Sequence, residues 1–540
     1  MSVYICVCVL FALHVEGGAA LPPLRAIALV AEGSDVKMVD PLQADGLYVD
    51  EGVAFPGAID ELKSQLSAFY EEGPLDRDLL LRVKNRIVQY FHEHRQYSVY
   101  ISIPEQEISS GIVVCEVGQA KIEEVTHQGN LWLPSRKIEQ ALNVRSGEVL
   151  DVNELLDRVS WLNCNPFHHT EITLSPGSSP GKTNVEERTV DRFPVRAFAG
   201  GSNTGTASTG TGRYFAGLTW GNAFFVDDVW TYQFSMSPEL SRYSSHTMSY
   251  LSFLPCRHMI TLSGGYSRIQ PNLHGFHSQG NDAQFSFRYK IPCKPLHTPL
   301  QQNVYFGADY KYFTNILFFI GDVEFEEIVM QSQVNITQAV LGYQLDYNSL
   351  PHQLFARLEC FGSWMEWLPH QNGDAYSAMR AHASTRYLYF TAMCGEVYTF
   401  SSKAALAVTL RAQGSFSTLL PSEQFQLGGA GTVRGYEQSV FAGDHGVCAS
   451  MEWRSPPFSL SKKLHDSLVL LGFLDYGWGY NNHPFDGITT SAALVGAGPG
   501  LRYRVDPYLE ARFDYGFKFH SINFDDKKIG TFHLNVTVGY

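Results

Sequence analysis

The glycine-rich run QFQLGGAGTVRGYEQSVFAGDHG (424–446) contains one residue suited to directed recognition, Arg434. A guanidinium presents a planar fork of donors that fits a carboxylate bidentately, so Arg434 calls for an acidic partner if the run folds inward. The segment SLVLLGFLDYGWGY supplies a candidate in Asp475. At period two, Phe473, Asp475 and Gly477 share one face, opposite Leu474, Tyr476 and Trp478. If the latter face meets lipid, Asp475 points inward. Taken alone, the two residues read by default as an exposed loop arginine and a solvated carboxylate. Gly428, Gly429, Gly431 and Gly435 permit turns with positive φ. No G-x-x-x-x-G-K-[ST] occurs and no helix follows, so the run does not read as a phosphate cradle.

Other chemistries find little support. Cys164, His168 and His169 form the nearest approach to a ligand cluster, but a fourth ligand is missing, so no metal is expected. There is no G-x-S-x-G, no H-E-x-x-H and no Ser/His pair at informative spacing. Neither catalysis nor a cofactor is expected. Seven cysteines lie beyond residue 20, without a C-x-x-C pair. Cys256 and Cys293 each follow a proline in neighbouring turns and make a candidate disulfide for an exported protein.

The composition limits which elements can position these residues. At 540 residues the chain is too long for one ordinary core. Forty Lys and Arg against 54 Asp and Glu give a net charge of −14, which argues against a nucleic-acid surface. Charged residues make up 17% and aromatics 13%, where a soluble domain carries roughly 25% charged residues. Beyond residue 20 no stretch reaches the roughly 18 apolar residues of a membrane helix. A closed β-barrel, apolar only at alternate positions, remains.

From 194 onward period-two alternation dominates. In LEARFDYGFKFH (509–520), Leu509, Ala511, Phe513, Tyr515, Phe517 and Phe519 oppose Glu510, Arg512, Asp514, Gly516, Lys518 and His520. FHLNVTVGY at the C-terminus does the same. A face with charges of both signs suits a wet lumen, and aromatics at strand ends suit interfacial girdles. Strands are expected near 195–200, 213–222, 228–236, 246–254, 258–268, 283–291, 302–312, 332–347, 353–365, 385–399, 404–415, 447–454, 467–480, 492–504, 508–519 and 531–540. That makes about sixteen antiparallel strands, an even number as a single-chain barrel requires. Short connections such as VDPY alternate with long polar ones, as periplasmic turns alternate with external loops.

The N-terminal third differs. Residues 1–20 read as a secretory signal with cleavage near Ala20, although no Lys or Arg precedes Arg25; an atypical segment or a misplaced start codon would explain that. LRAIALVA (24–31) reads as a strand. Helical spacing follows at Ile59, Leu62, Leu66 and Phe69, and at Leu80, Val83, Ile87 and Phe91, before strands at 99–103 and 112–117. The pattern repeats, with a strand at 122–125, helices near 134–142 and 152–162, and strands at 170–174 and 184–188. Two β-α-α-β-β units are expected, over 21–118 and 119–193, ahead of a barrel over 194–540. Their open sheet edges can accept an extended peptide.

Val433-Arg434-Gly435-Tyr436 and Phe473-x-Asp475-x-Gly477 resemble the VRGY/F loop motif and the F-x-D-x-G strand motif of two-partner secretion transporters (TpsB, the ShlB/FhaC/HecB type). YSVYISIPEQEISSGIVVCEVGQAKIEEVTHQGN resembles that family's POTRA signature, with Pro104, Gln106 and Gly111 in place. LNCNPFHHTEITLSPGSSPGKTNVEE, RAFAGGSNTGTASTGTGRYFAGLTWGNAFF and SMEWRSP also fit, so the likeness runs from about 55 to 540. Segment 21–55, where the family often carries a plug helix, shows no convincing amphipathic helix. The resemblance implies tandem POTRA domains in the periplasm and a monomeric 16-stranded barrel in the bacterial outer membrane. It implies that Arg434 folds into the lumen and pairs with Asp475. It also implies export of an unfolded haemolysin- or adhesin-like exoprotein, received through its N-terminal secretion domain. An insertase that assembles other barrels is the alternative with the same architecture.

Overall fold

The computed structural model describes residues 21–34, 46–94, 96–179, 181–273, 276–293, 298–320, 326–461, 463–484, 489–520 and 528–540; residues 1–20, expected to be a secretory signal, lie outside them. The chain divides into two units, residues 1–192 and 193–540.

In the first unit, helix Arg77–Glu93 starts where Asp76 accepts the Leu79 N–H at 2.7 Å, a cap that contributes about 1 kcal/mol. Its buried face carries Leu80, Val83, Ile87 and Phe91, at the spacing expected. Helix Ile59–Leu66 buries Leu62 and Leu66, but Ile59 in its first turn is exposed. Both helices cover a sheet in which Ala26–Ala31 and Ile112–Gln119 are parallel neighbours and Val99–Ser102 pairs antiparallel to the latter. A fourth strand, Gly46–Val49, runs parallel along the other edge of Ala26–Ala31. Nothing in its four residues alternates long enough to reveal it.

A second sheet, Lys121–Gln128, Lys182–Asp191 and His168–Pro176 in spatial order, lies beneath helices Ser135–Leu142 and Val152–Leu162. Ile138, Leu142, Leu155, Val159 and Leu162 are the helical contribution to its core. His168 is buried and His169 exposed, so the two imidazoles do not converge with Cys164.

In the second unit sixteen strands close into an antiparallel barrel, with a two-residue piece, Asn272–Leu273, beside the sixth. The sixth (Phe276–Pro292), seventh (Leu300–Ile320) and eighth (Glu326–Ser349) are longer than the alternation suggests. Leu474, Tyr476 and Trp478 are exposed on the outer wall, as are Trp453, Tyr508 and Tyr540 near the rim where the first strand, Val195–Ser202, begins.

The candidate disulfide is not made. Cys256 and Cys293 are both free and exposed. Arg257, at φ +60°, closes a tight turn onto Leu254 at 2.9 Å, which keeps Cys256 off the ladder, while Cys293 lies past the end of the sixth strand.

Candidate functional site

Between the eleventh strand (Ala405–Ser415) and the twelfth (His445–Arg454) the chain folds into the lumen. A two-stranded ribbon, Phe425–Leu427 with Phe441–Gly443, forms its stem. The thirteenth strand (Asp466–Tyr480) alternates as predicted, with Phe473, Asp475 and Gly477 turned inward.

Arg434 and Asp475 meet. Arg434 Nε donates to Asp475 Oδ2 at 2.7 Å and Nη2 to Oδ1 at 2.8 Å, while the Arg434 backbone N–H also reaches Oδ2 at 3.0 Å. Nη1 donates to Glu452 Oε1 at 2.6 Å and Nη2 to Ser450 Oγ at 3.1 Å. Ser450 in turn donates to Asp475 at 2.6 Å. The guanidinium carbon stands 3.6 Å from the centroid of the Phe473 ring, a cation–π contact. So Phe473 and Asp475 hold the same cation, one by its face and one by its edge.

Asp475 is fully buried and Arg434 is 4% exposed. Truncating one partner of such a pair leaves an uncompensated charge, at a cost of about 3–5 kcal/mol.

The rest of the motif is positioned by contact with the wall. Val433 is buried among Leu427, Phe441, Cys448 and Leu494. A Cβ at Gly477 would stand 2.7 Å from Val433 Cγ2, so the glycine leaves the space that valine fills. Gly435 takes φ +98°, and its N–H donates to His533 Nε2 at 3.2 Å. The Tyr436 hydroxyl donates to His520 O at 2.6 Å.

Several partners were not singled out by sequence reasoning. Glu452 and Ser450 sit within SMEWRSP on one face of the twelfth strand, and Glu452 also takes Arg454 at 2.7 Å. Asp514, paired with Arg502 at 2.8 Å, comes within 3.8 Å of Arg434. A Cβ on Gly496 would collide with the Arg434 carbonyl oxygen, and one on Gly516 with the Gly435 nitrogen. Alternation identifies the lumen face carrying Glu452, Asp514, Gly516 and His533. It does not identify which of them touch a loop distant in sequence. At the loop's entry Glu423 accepts Lys311 at 2.6 Å and the Tyr389 hydroxyl at 2.7 Å.

The POTRA-signature residues lie elsewhere, in the first unit. Gln106 bonds both backbone groups of Val114, at 2.7 and 2.8 Å, acting as a short stand-in strand. Gly111, at φ +72°, accepts the Arg25 N–H at 2.7 Å, and Pro104 O accepts the Gln106 amide at 3.2 Å. These three brace the hairpin between Val99–Ser102 and Ile112–Gln119.

The profile of the haemolysin secretion/activation protein family ShlB/FhaC/HecB matches residues 181–503. The chain belongs to this family. It is an outer-membrane transporter of the two-partner secretion type, with its POTRA domains in the periplasm. The outer membrane transporter CdiB of Dickeya dadantii is 23% identical over 420 residues, covering 74% of this chain and 69% of the relative. In fold it is similar to CdiB from Escherichia coli, at TM-score 0.73 and 18% identity, covering 98% of this chain and 93% of the other. CdiB from Acinetobacter baumannii gives TM-score 0.64 at 15% identity, covering 97% and 91%.

Proposed function

We propose that this transporter exports an unfolded, haemolysin- or adhesin-like exoprotein through its own barrel as a monomer. Residues 1–20 are assigned as the export signal, and 21–118 and 119–193 as two POTRA domains. The latter receive the partner's N-terminal secretion domain by strand addition at an open sheet edge. The loop 424–446 is the moving part. Its position is fixed by the Arg434–Asp475 fork, and passage of a chain requires that fork to be remade or released. No cofactor or nucleotide enters the scheme, and the driving force is folding of the exoprotein outside.

The observation that carries this reading is the five-bonded Arg434 guanidinium and backbone, held inside the barrel by Asp475, Glu452 and Ser450. A structural strut would not need a strand-crossing loop threaded inward. The test is export of the partner by Arg434→Ala and Asp475→Ala variants. Impaired export with normal barrel insertion is expected, and normal secretion by both overturns the reading.

A second reading, an insertase for other barrels, draws on the seam. The sixteenth strand (Gly530–Gly539) meets the first through five residue pairs, Asn535–Ser202 to Gly539–Phe198, with Gly200 and Gly201 in the first strand. Reconstitution with unrelated unfolded barrels distinguishes the two, since only an insertase accelerates their assembly.

A further inference from the structure

The eighth strand pairs with the ninth (His352–Ser363) only from Ala339 to Ser349, so residues 326–338 have no ladder partner from the ninth. An edge of that length invites foreign pairing unless something covers it. The connection 364–386 covers it from Ser332 to Thr337. Asn335 N donates to His370 O at 3.3 Å, Asn335 Nδ2 to Pro369 O at 2.6 Å, and Gln371 Nε2 to Thr337 Oγ1 at 2.8 Å. A short helix, Gly373–Met379, capped by Asn372, then buries Tyr376 against Val334, Ile336, Tyr389 and Leu419.

The next residue is Arg380. Its guanidinium forks onto Asp444, Nη1 to Oδ1 at 2.6 Å and Nη2 to Oδ2 at 2.8 Å, and also donates to Asn481 Oδ1 at 3.0 Å and to Leu419 O. Asp444 is wholly buried and accepts two backbone N–H groups besides, from Leu419 at 2.9 Å and Asn482 at 2.8 Å. Asp444 is where the lumen loop rejoins the wall, one residue before the twelfth strand. Asn481 and Asn482 directly follow the thirteenth strand. They lie six and seven residues from Asp475, about 20 Å or more along the strand.

We propose that Arg380 is a positioning residue of the transporter, a second lock that clasps the exit of the lumen loop to the neighbouring external connection. The tip lock fixes the loop's depth, and the Arg380–Asp444 lock fixes where it leaves the pore mouth. A loop free at its exit swings about its tip. Opening the mouth therefore requires the Arg380–Asp444 fork to part as well as the Arg434–Asp475 fork. This inference rests on the export reading for its role in transport, while the lock itself is testable without cargo.

The full chain is reconstituted in planar bilayers and its channel open time recorded. Arg380→Ala is expected to raise open time about tenfold, because a fully satisfied buried fork is lost. Arg380→Lys, which keeps the charge but not the fork, is expected to fall between, and Arg380→Ala with Arg434→Ala to exceed either alone. Open times of Arg380→Ala equal to wild type overturn the proposal. If that variant does not assemble, wild-type open times in Arg380→Lys overturn it equally. A channel that responds in this way while the wild-type chain exports no partner supports the lock and removes the export reading instead.

Discussion

Gly477 lies directly beneath Val433: a Cβ on the thirteenth strand at that position would stand 2.7 Å from Val433 Cγ2 and 2.9 Å from Leu427 Cδ2. The glycine two residues beyond Asp475 is thus the seat of the loop, as Asp475 is its anchor. Gly477→Val overfills this seat, where overpacking costs about 1–3 kcal/mol. The loop is expected to be displaced although Arg434 and Asp475 are both intact. Export should fall several-fold while the barrel retains its heat-resistant mobility in gels. Unchanged export in Gly477→Val would mean the seat is dispensable.

His533 addresses the loop from the sixteenth strand. Accepting the Gly435 N–H at 3.2 Å requires an unprotonated Nε2. Protonation removes the acceptor and places a second cation beside Arg434, in a cluster whose carboxylates are Asp475, Asp514 and Glu452. Acidification is therefore predicted to lengthen channel openings. His533→Gln offers an acceptor that does not titrate, and its open time should be flat over the range where the wild type responds. An identical acid response in both would remove His533 from the account.

The sequence patterns reveal those parts of the fold that two solvents impose on every second residue. Leu474, Tyr476 and Trp478 meet lipid and Phe473, Asp475 and Gly477 the lumen, so the thirteenth strand can be read without a structure. The helices of the first unit are legible for the same reason at period 3.6. Four-residue Gly46–Val49 is not, because its place is decided by backbone pairing to Ala26–Ala31 and not by side-chain periodicity. Nor is the glycine cradle of Gly496 and Gly516. Glycine is silent about what approaches it, and here the visitor comes from more than sixty residues away. The motif resemblance supplied Arg434 and Asp475 as a pair; alternation alone left them as two polar residues.

In the first unit, outside the membrane, Glu123 closes the hairpin after His168–Pro176. It accepts the Ser178 hydroxyl and N–H, at 2.5 and 2.6 Å, and Lys182 at 3.2 Å. The Ser178 bonds foremost, then Lys182, pull its carboxyl down to about 2, from an ordinary value of about 4.3. Because the folded pKa is depressed, this contribution is present above pH 4.3 and is lost as pH falls from there toward 2. Amide exchange at Ser178 should accelerate over that window. Glu123→Gln should show no such step, and a step that persists would assign it to another group.

Thiol chemistry separates Cys115 from the cysteines at two turns of the barrel. Burial pushes the Cys115 thiol up to about 12, so it carries almost no thiolate at neutral pH. Cys256 and Cys293 are exposed at turns. A maleimide applied to the folded protein should modify Cys256 and Cys293 without reductant and leave Cys115 untouched until denaturation. Resistance of Cys256 and Cys293 that is relieved by reductant would restore the disulfide.

The Arg434–Asp475 fork can be separated into stability and function by replacing both partners. Removing Arg434 alone leaves the buried Asp475 without its cation while Glu452 keeps Arg454, and removing Asp475 alone leaves a cation with Glu452 and Ser450 but no fork. Each single change is expected to cost about 3–5 kcal/mol of loop docking. Arg434→Met with Asp475→Leu removes both charges at similar volume, a replacement that is often neutral or stabilising in a buried pair. The double variant should therefore recover the protease resistance of the docked loop, yet export should remain lost. A pair that only braces the loop is replaceable by packing. A pair that must open and close is not, since apolar contacts offer no second polar arrangement for the loop to adopt. Export restored together with docking would reduce the fork to a brace and move the switch elsewhere.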